Sequence, residues 1–394
     1  MNKLFLFICT TVLTLTFSCK KNDAGSNQPV INEISPLKGA SPNHVTIRGM
    51  HFGSSPAGVE VKFGVDSAKI LRINDTVIVV EVPYFGTSGP IEMNIHGRHV
   101  TSASSFTVLP GFWINNFETI APGYEGRNEL VAFSIGYKAY CGLGYNGIKS
   151  LSDLWEYDKN TNTWKQVASC PLDLYGATAM VANGKAYIVG GRSSSDSAHN
   201  SKEVWSYDPS IDAWQKKKDF PGVARHSAVG ATFGGLLCYF GTGEDDNGNT
   251  LSDWWQYEPG SDYWVQKAYV PEATLVAAPA FVFNDKLYTG IGSYGRTKSW
   301  YSYDPVGDFW TKLADFPGNV VFGAAGFVLQ QTGKGYVCGG GDECWMYDVN
   351  ANTWAQQGFY GDRKAGCAFL IGEIGYFVGG SFTNKDMWSF IPAH

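Results

Sequence analysis

Two phases of a repeated pattern carry the residues able to do chemistry. One phase holds Arg127, Arg225 with His226, and Arg363 with Lys364; the other holds Tyr145, Arg192, Glu244, Tyr294 with Arg296, and Asp342 with Glu343. Guanidinium forks bind carboxylates through two parallel hydrogen bonds, and tyrosine rings offer flat faces on which a sugar can stack. The set predicts a site for an acidic ligand: a uronic or sialic sugar, or a peptide carboxylate. The competing chemistry for each arginine is structural pairing with a neighbouring acid such as Glu244 or Asp342.

Other candidate motifs dissolve on inspection. Gly142-Leu-Gly144-Tyr-Asn-Gly147 and Gly290-Ile-Gly292-Ser-Tyr-Gly295 have the spacing of a dinucleotide-binding loop. Such a loop must run into a helix; both stretches instead fall at one phase of a β pattern and read as glycine turns. The loop from Glu244 to Asn249 is rich in oxygen, but Gly248 sits too early for an EF-hand and no closing Glu follows, so an exposed turn is expected. No Cys/His cluster has zinc spacing, and no GxSxG elbow, HExxH or Walker loop occurs. No cofactor or metal is expected. The formal net charge of −6 supplies no field to attract nucleic acid. Lys216, Lys217 and Lys218 read as a solvated edge strand.

Short strands must position these residues. Glycine is abundant, at 47 of 394 residues, while charged residues make up 17%, a balance suited to tight turns between strands. LWEYDKNTNTW returns as VWSYDPSIDAW, WWQYEPGSDYW, WYSYDPVGDFW and CWMYDVNANTW. Each copy alternates apolar and polar residues, turns on Asp, Asn, Ser or Gly, and opens a returning strand with Trp. Upstream lies a second hairpin, as in ATAMVANGKAYIVGG with its Asn183-Gly184 turn. Each unit is thus a four-stranded antiparallel sheet, and the repeated aromatics are a packing device needed once per unit.

The recurring double glycine, Tyr and Trp resemble kelch repeats over about residues 111 to 394. The resemblance implies a β-propeller, and six Tyr or Phe markers (Tyr157, Tyr207, Tyr257, Tyr303, Tyr347, Phe390) give six blades. The last copy lacks its Trp strand, and Gly111-Phe112-Trp113-Ile114 is predicted to supply it from the front of the domain. Residues 29 to 110 read as a small sandwich. There, Val45-Thr46-Ile47-Arg48-Gly49, Phe52-Gly53, Phe63-Gly64 and Val82-Pro83 resemble an IPT/TIG domain, which is immunoglobulin-like. The predicted fold class is therefore all-β: a six-bladed kelch β-propeller preceded by an immunoglobulin-like sandwich.

The first 19 residues resemble a bacterial lipoprotein signal: Lys3, an apolar run, then Cys19 as the acylated residue. A tether over 20 to 28 follows. This predicts an exported protein of the cell envelope, an outer membrane lipoprotein held by its lipid anchor. Of the cysteines beyond the signal, Cys141, Cys238 and Cys338 lie in apolar strand-like runs, and mostly free thiols are expected. Two functions follow from these expectations. One is a binding module whose central mouth takes a glycan or protein ligand. The other, implied by resemblance to kelch proteins that act on sialic acid, is a sugar mutarotase or epimerase. That family's catalytic residues have no matching motif here.

Overall fold

The computed structural model describes residues 28–195, 199–272, 275–292, 297–319, 322–361 and 363–392. All regular structure among them is β-strand. Val30–Ser35, His44–Met50, Val77–Glu81 and Lys69–Asn74 form one sheet of the sandwich; Arg98–Val108, Gly89–Ile95 and Val59–Phe63 form most of the other. Alternation fills the space between them. Val45, Ile47, Val61, Phe63, Ile78, Val80, Ile91 and Met93 point inward and are almost wholly buried. Gly49 lies where a Cβ would stand 1.9 Å from the Val30 carbonyl oxygen, so no other residue fits that crossing.

Beyond residue 110 the chain makes six four-stranded antiparallel sheets, each in simple sequential order except the last. The first strands pack side by side around an axis: Val131–Ile135, Thr178–Ala182, Val229–Phe233, Ala280–Phe283, Ala324–Leu329 and Gly366–Ile371, with the sixth returning to the first. This is a closed six-bladed propeller. In the sixth blade the outer strand is Phe112–Phe117, paired with Met387–Ile391 so that Trp113 faces Phe390. Trp113 is 2% exposed.

The repeated phrase is more than a packing device, because it ties each blade to the one before. Asn162, Asp212, Asp262, Asp308 and Asn352 all adopt positive φ, which Asn and Asp tolerate best among residues with a Cβ. Each accepts a hydrogen bond from the phrase's own tyrosine at 2.7–3.0 Å. From the second blade on, the same side chain also accepts the backbone N–H of a residue in the preceding blade, and the phrase's Trp donates to that residue's carbonyl. Asp212 and Trp214 hold Ala168 at 2.9 and 2.8 Å. Asp308 with Trp310 holds Ala268, and Asn352 with Trp354 holds Ala314. The closing strand reproduces half of this latch, since Trp113 Nε1 donates to the Gly358 carbonyl at 2.9 Å. At the seam between the sixth and first blades, Trp164 Nε1 is buried with no hydrogen-bond partner among the described residues.

One cysteine expectation is corrected. Cys338 is bonded to Cys344, whereas Cys141, Cys170, Cys238 and Cys367 are free thiols, each pushed up to about 12 by burial. The two bonded residues occupy directly opposed positions on adjacent strands. That register comes from the strand pairing, and composition does not reveal it.

Candidate functional site

The approach to each first strand runs beside the exit of a second strand. Backbone bridges join Asn128 to Tyr145, Tyr175 to Arg192, and His226 to Glu244. The two phases singled out from the sequence therefore share one rim, but their side chains do not share one role. Arg127, Arg225 and Arg363 are at most 5% exposed and turn inward. Each makes a two-bond pair with an acid at the start of the third strand: Arg127 with Asp153 at 2.5 and 2.9 Å, Arg225 with Asp253 at 2.6 and 2.8 Å, and Arg363 with Asp386 at 2.9 and 2.7 Å. One Nη of each also caps a glycine-turn carbonyl (Leu143, Thr242, Gly379). The acid's second oxygen accepts the repeat tryptophan's Nε1: Trp155, Trp255 or Trp388. These three arginines are structural braces and leave the ligand-binding set. The pairing alternative holds, with Asp153, Asp253 and Asp386 in place of Glu244 or Asp342.

Asp342 and Glu343 also lie away from the mouth. They line a cleft of about 540 Å³ against Lys38, Asn43 and His44 of the sandwich. There the Glu343 carboxylate accepts hydrogen bonds from Trp345 Nε1 and Asn319. Tyr294 and Arg296 fall outside the described residues, as does Cys19. In the acidic loop, Asp245 accepts bonds from Asn247 and Asn249, so its oxygens close a turn.

What remains at the mouth is built from a ring that the sequence reading passed over. Glu129, Gly176, Ser227, Ala277, Gly323 and Ala365 all have positive φ, between 49 and 73°. Backbone bonds link them around the axis: Gly176 N–H to Glu129 (2.9 Å), Ser227 to Gly176 (2.7 Å), Ala277 to Ser227 (2.8 Å), Ala365 to Gly323 (3.0 Å) and Glu129 to Ala365 (2.7 Å). Small residues dominate because side chains here project into a narrow shaft of about 130 Å³. Glu129 is the one charged side chain among its described lining residues.

Gly176 lies where two polar side chains of neighbouring blades approach the ring. A Cβ at that position would stand 3.1 Å from both Glu129 Oε2 and Ser227 Oγ, so a carboxylate and a hydroxyl converge closely on this glycine. Close by in sequence and on the same rim, Asn128 Oδ1, His226 Nδ1 and Ser227 Oγ are buried and make no hydrogen bond to a described residue. Burial pushes the Glu129 carboxyl up to about 7, although Arg192 pulls it the other way. Burial likewise lowers the His226 imidazole, opposed by Glu244 and aided by Arg192. The mouth thus offers hydrogen-bond acceptors, a neutral imidazole and a carboxyl that can hold or release a proton near neutrality. Tyr145, Arg192, His226 and Glu244 of the sequence-predicted set belong to this region. Asn128, Glu129, Tyr175 and Ser227 were missed. The signal was the column one and two residues beyond the braced arginines, where Asn128, Glu129, Tyr175, His226 and Ser227 stand at positions that other repeats fill with Val276, Ala277, Gly323 or Ala365.

The fold is a kelch-type propeller carrying an immunoglobulin-like domain. Residues 29–108 match the IPT/TIG domain family, and residues 134–171 and 173–221 match the Kelch motif. No curated protein matches the chain in sequence. Among solved structures, one titled "Structure of YjhT" is similar with a TM-score of 0.58 at 15% identity, covering 67% of this chain and 93% of that one. At that identity the likeness concerns the fold.

Proposed function

We propose that the propeller binds the hydroxyl-rich end of a glycan at its channel mouth, and that the chain serves as a binding lipoprotein of the cell envelope. The observation that carries the reading is a set of buried polar atoms on this rim without a hydrogen-bond partner among the described residues: Ser227 Oγ, which meets the Glu129 carboxylate at Gly176, and Asn128 Oδ1 and His226 Nδ1 on the residues just before Glu129 and Ser227. Buried polar atoms are ordinarily paired, and the vicinal hydroxyls of a sugar are the donors that would pair these. With three arginines committed to braces, the case for an acidic ligand rests on Arg192 and Lys364 among the described residues. A hydroxyl-rich terminus is favoured over a dedicated carboxylate site. The Cys338–Cys344 disulfide supports export, since such bonds persist in oxidising compartments. A glycan-array screen tests the proposal: Ser227→Ala should weaken retention of the bound sugar about tenfold. An unchanged profile in Ser227→Ala and Asn128→Ala would remove the mouth as the site.

A second reading is favoured by the proton equilibrium of Glu129. A sugar mutarotase must take a proton from the anomeric hydroxyl and return one to the ring oxygen, and a carboxyl titrating near 7 is suited to both steps. Exchange spectroscopy on free sugars separates the two. Acceleration of anomer exchange that is lost in Glu129→Gln supports catalysis; unaccelerated exchange with intact binding supports a binding module.

A further inference from the structure

Four aromatic rings cross four blades in a continuous arc toward the mouth. Phe382 of blade six lies 5.9 Å from Tyr145 of blade one, Tyr145 lies 5.4 Å from Tyr175 of blade two, and Tyr175 lies 6.5 Å from His226 of blade three, centroid to centroid. Exposure falls along the arc: Phe382 is 48% exposed, Tyr145 and Tyr175 are half-buried, and His226 is 8% exposed. A packing cluster would bury all four. Instead the rings descend from the open rim to His226, whose neighbour Ser227 meets Glu129 at Gly176.

The outer end of the arc is held in place. A Cβ at Gly147 would stand 3.2 Å from the Phe382 ring, so the Tyr145–Lys149 loop leans on it. That loop is fixed by Asn146, whose Oδ1 accepts the Ile148 and Lys149 N–H groups at 2.9 Å and whose Nδ2 donates to Glu125. Tyr145 is further pinned by backbone pairing with Asn128 and Ser150. Rigid aromatics give contact area at small entropic cost. Other exposed aromatics, such as Tyr263 and Phe309, lie on outermost strands.

We infer that the site takes an oligosaccharide of four units: its terminal sugar sits over Gly176 while the three following units lie along Tyr175, Tyr145 and Phe382. The inference rests on the glycan reading above and adds chain length to it. Each ring-to-ring step is about the length of one sugar unit, so successive units can use successive rings.

The test uses a printed array of mono- to tetrasaccharides that share one terminal sugar, followed by calorimetry on the best series, with the full chain and its Phe382→Ala variant. The expected result is affinity that rises with length, and a loss of about three- to tenfold for the tetrasaccharide in Phe382→Ala with the monosaccharide unchanged. Phe382→Trp should restore it, and an unshifted thermal midpoint shows that the fold is intact. Equal affinity for mono- and tetrasaccharides, or equal losses for both in Phe382→Ala, would overturn the arc and leave the mouth standing. Binding to no glycan on the array would overturn both.

Discussion

Arg225 and Asp253 close on each other through two parallel hydrogen bonds of 2.6 and 2.8 Å, with the arginine side chain wholly out of solvent. The guanidinium stacks 4.8 Å above the Phe220 ring, and the carboxylate also accepts from Trp255. Every polar group of the pair is satisfied, so its function is to join the approach of the first strand to the start of the third.

Arg225→Ala should therefore cost stability. Removing one partner of a buried pair strands the other charge, at about 3 to 5 kcal/mol. Burial would raise the Asp253 carboxyl, yet the Arg225 bonds and charge more than offset it and hold it below the usual range. The associated stability is present above the ordinary carboxylate pKa and is lost as pH falls through the lowered folded-state value. Urea titrations at pH 7 and pH 3 measure it: the wild type should approach the variant at the acid end.

Glu129 predicts the opposite slope. Its folded-state pKa of about 7 lies above the ordinary 4.5, so the folded protein favours the protonated acid. Its contribution is fully present below pH 4.5 and is lost as pH rises toward 7. Glu129→Gln should match the wild type near pH 4 and exceed it by on the order of 1 to 3 kcal/mol at pH 8. A variant no more stable at pH 8 would show that the carboxyl is not desolvated.

Closure by the front strand can be tested by shortening the chain. A chain beginning at residue 127 lacks Phe112–Phe117 and leaves Met387–Ile391 as an open edge, which favours aggregation. Trp113→Ala in the full chain removes a side chain that is 2% exposed and loses its bond to Gly358, at about 3 to 5 kcal/mol. Melting of the shortened chain at the same temperature as one beginning at residue 110 would contradict this.

Anchoring is proposed to depend on Cys19. Cys19→Ser should release the protein from the membrane fraction while its melting temperature stays unchanged. Retention on membranes in high salt would argue against acylation.

The blade count and the closing strand were legible because Tyr and Trp recur at fixed spacing, and because the last copy, ending at Phe390, lacks a partner Trp. The latch was half legible. Asp212 and Asp262 read as turn residues, but their reach into the preceding blade depends on how sheets stack. The braced arginines were misassigned although their partners carry a signal. Asp153, Asp253 and Asp386 each stand two residues before the repeat Trp, in the three blades that have an Arg on the first-strand approach. Glu129 escaped notice because its environment is made by Gly176 and Ser227, one and two blades away, and desolvation by distant chain is not written in local pattern.

Both ends of the propeller meet in one sheet, with Phe112–Phe117 laid against Met387–Ile391 in five registered pairs. A force arriving through the N-terminal sandwich is therefore applied along the closing strand. Because the strands are antiparallel, that force enters the sheet at the Phe112–Ile391 pair, where the first and last strands of the propeller lie side by side.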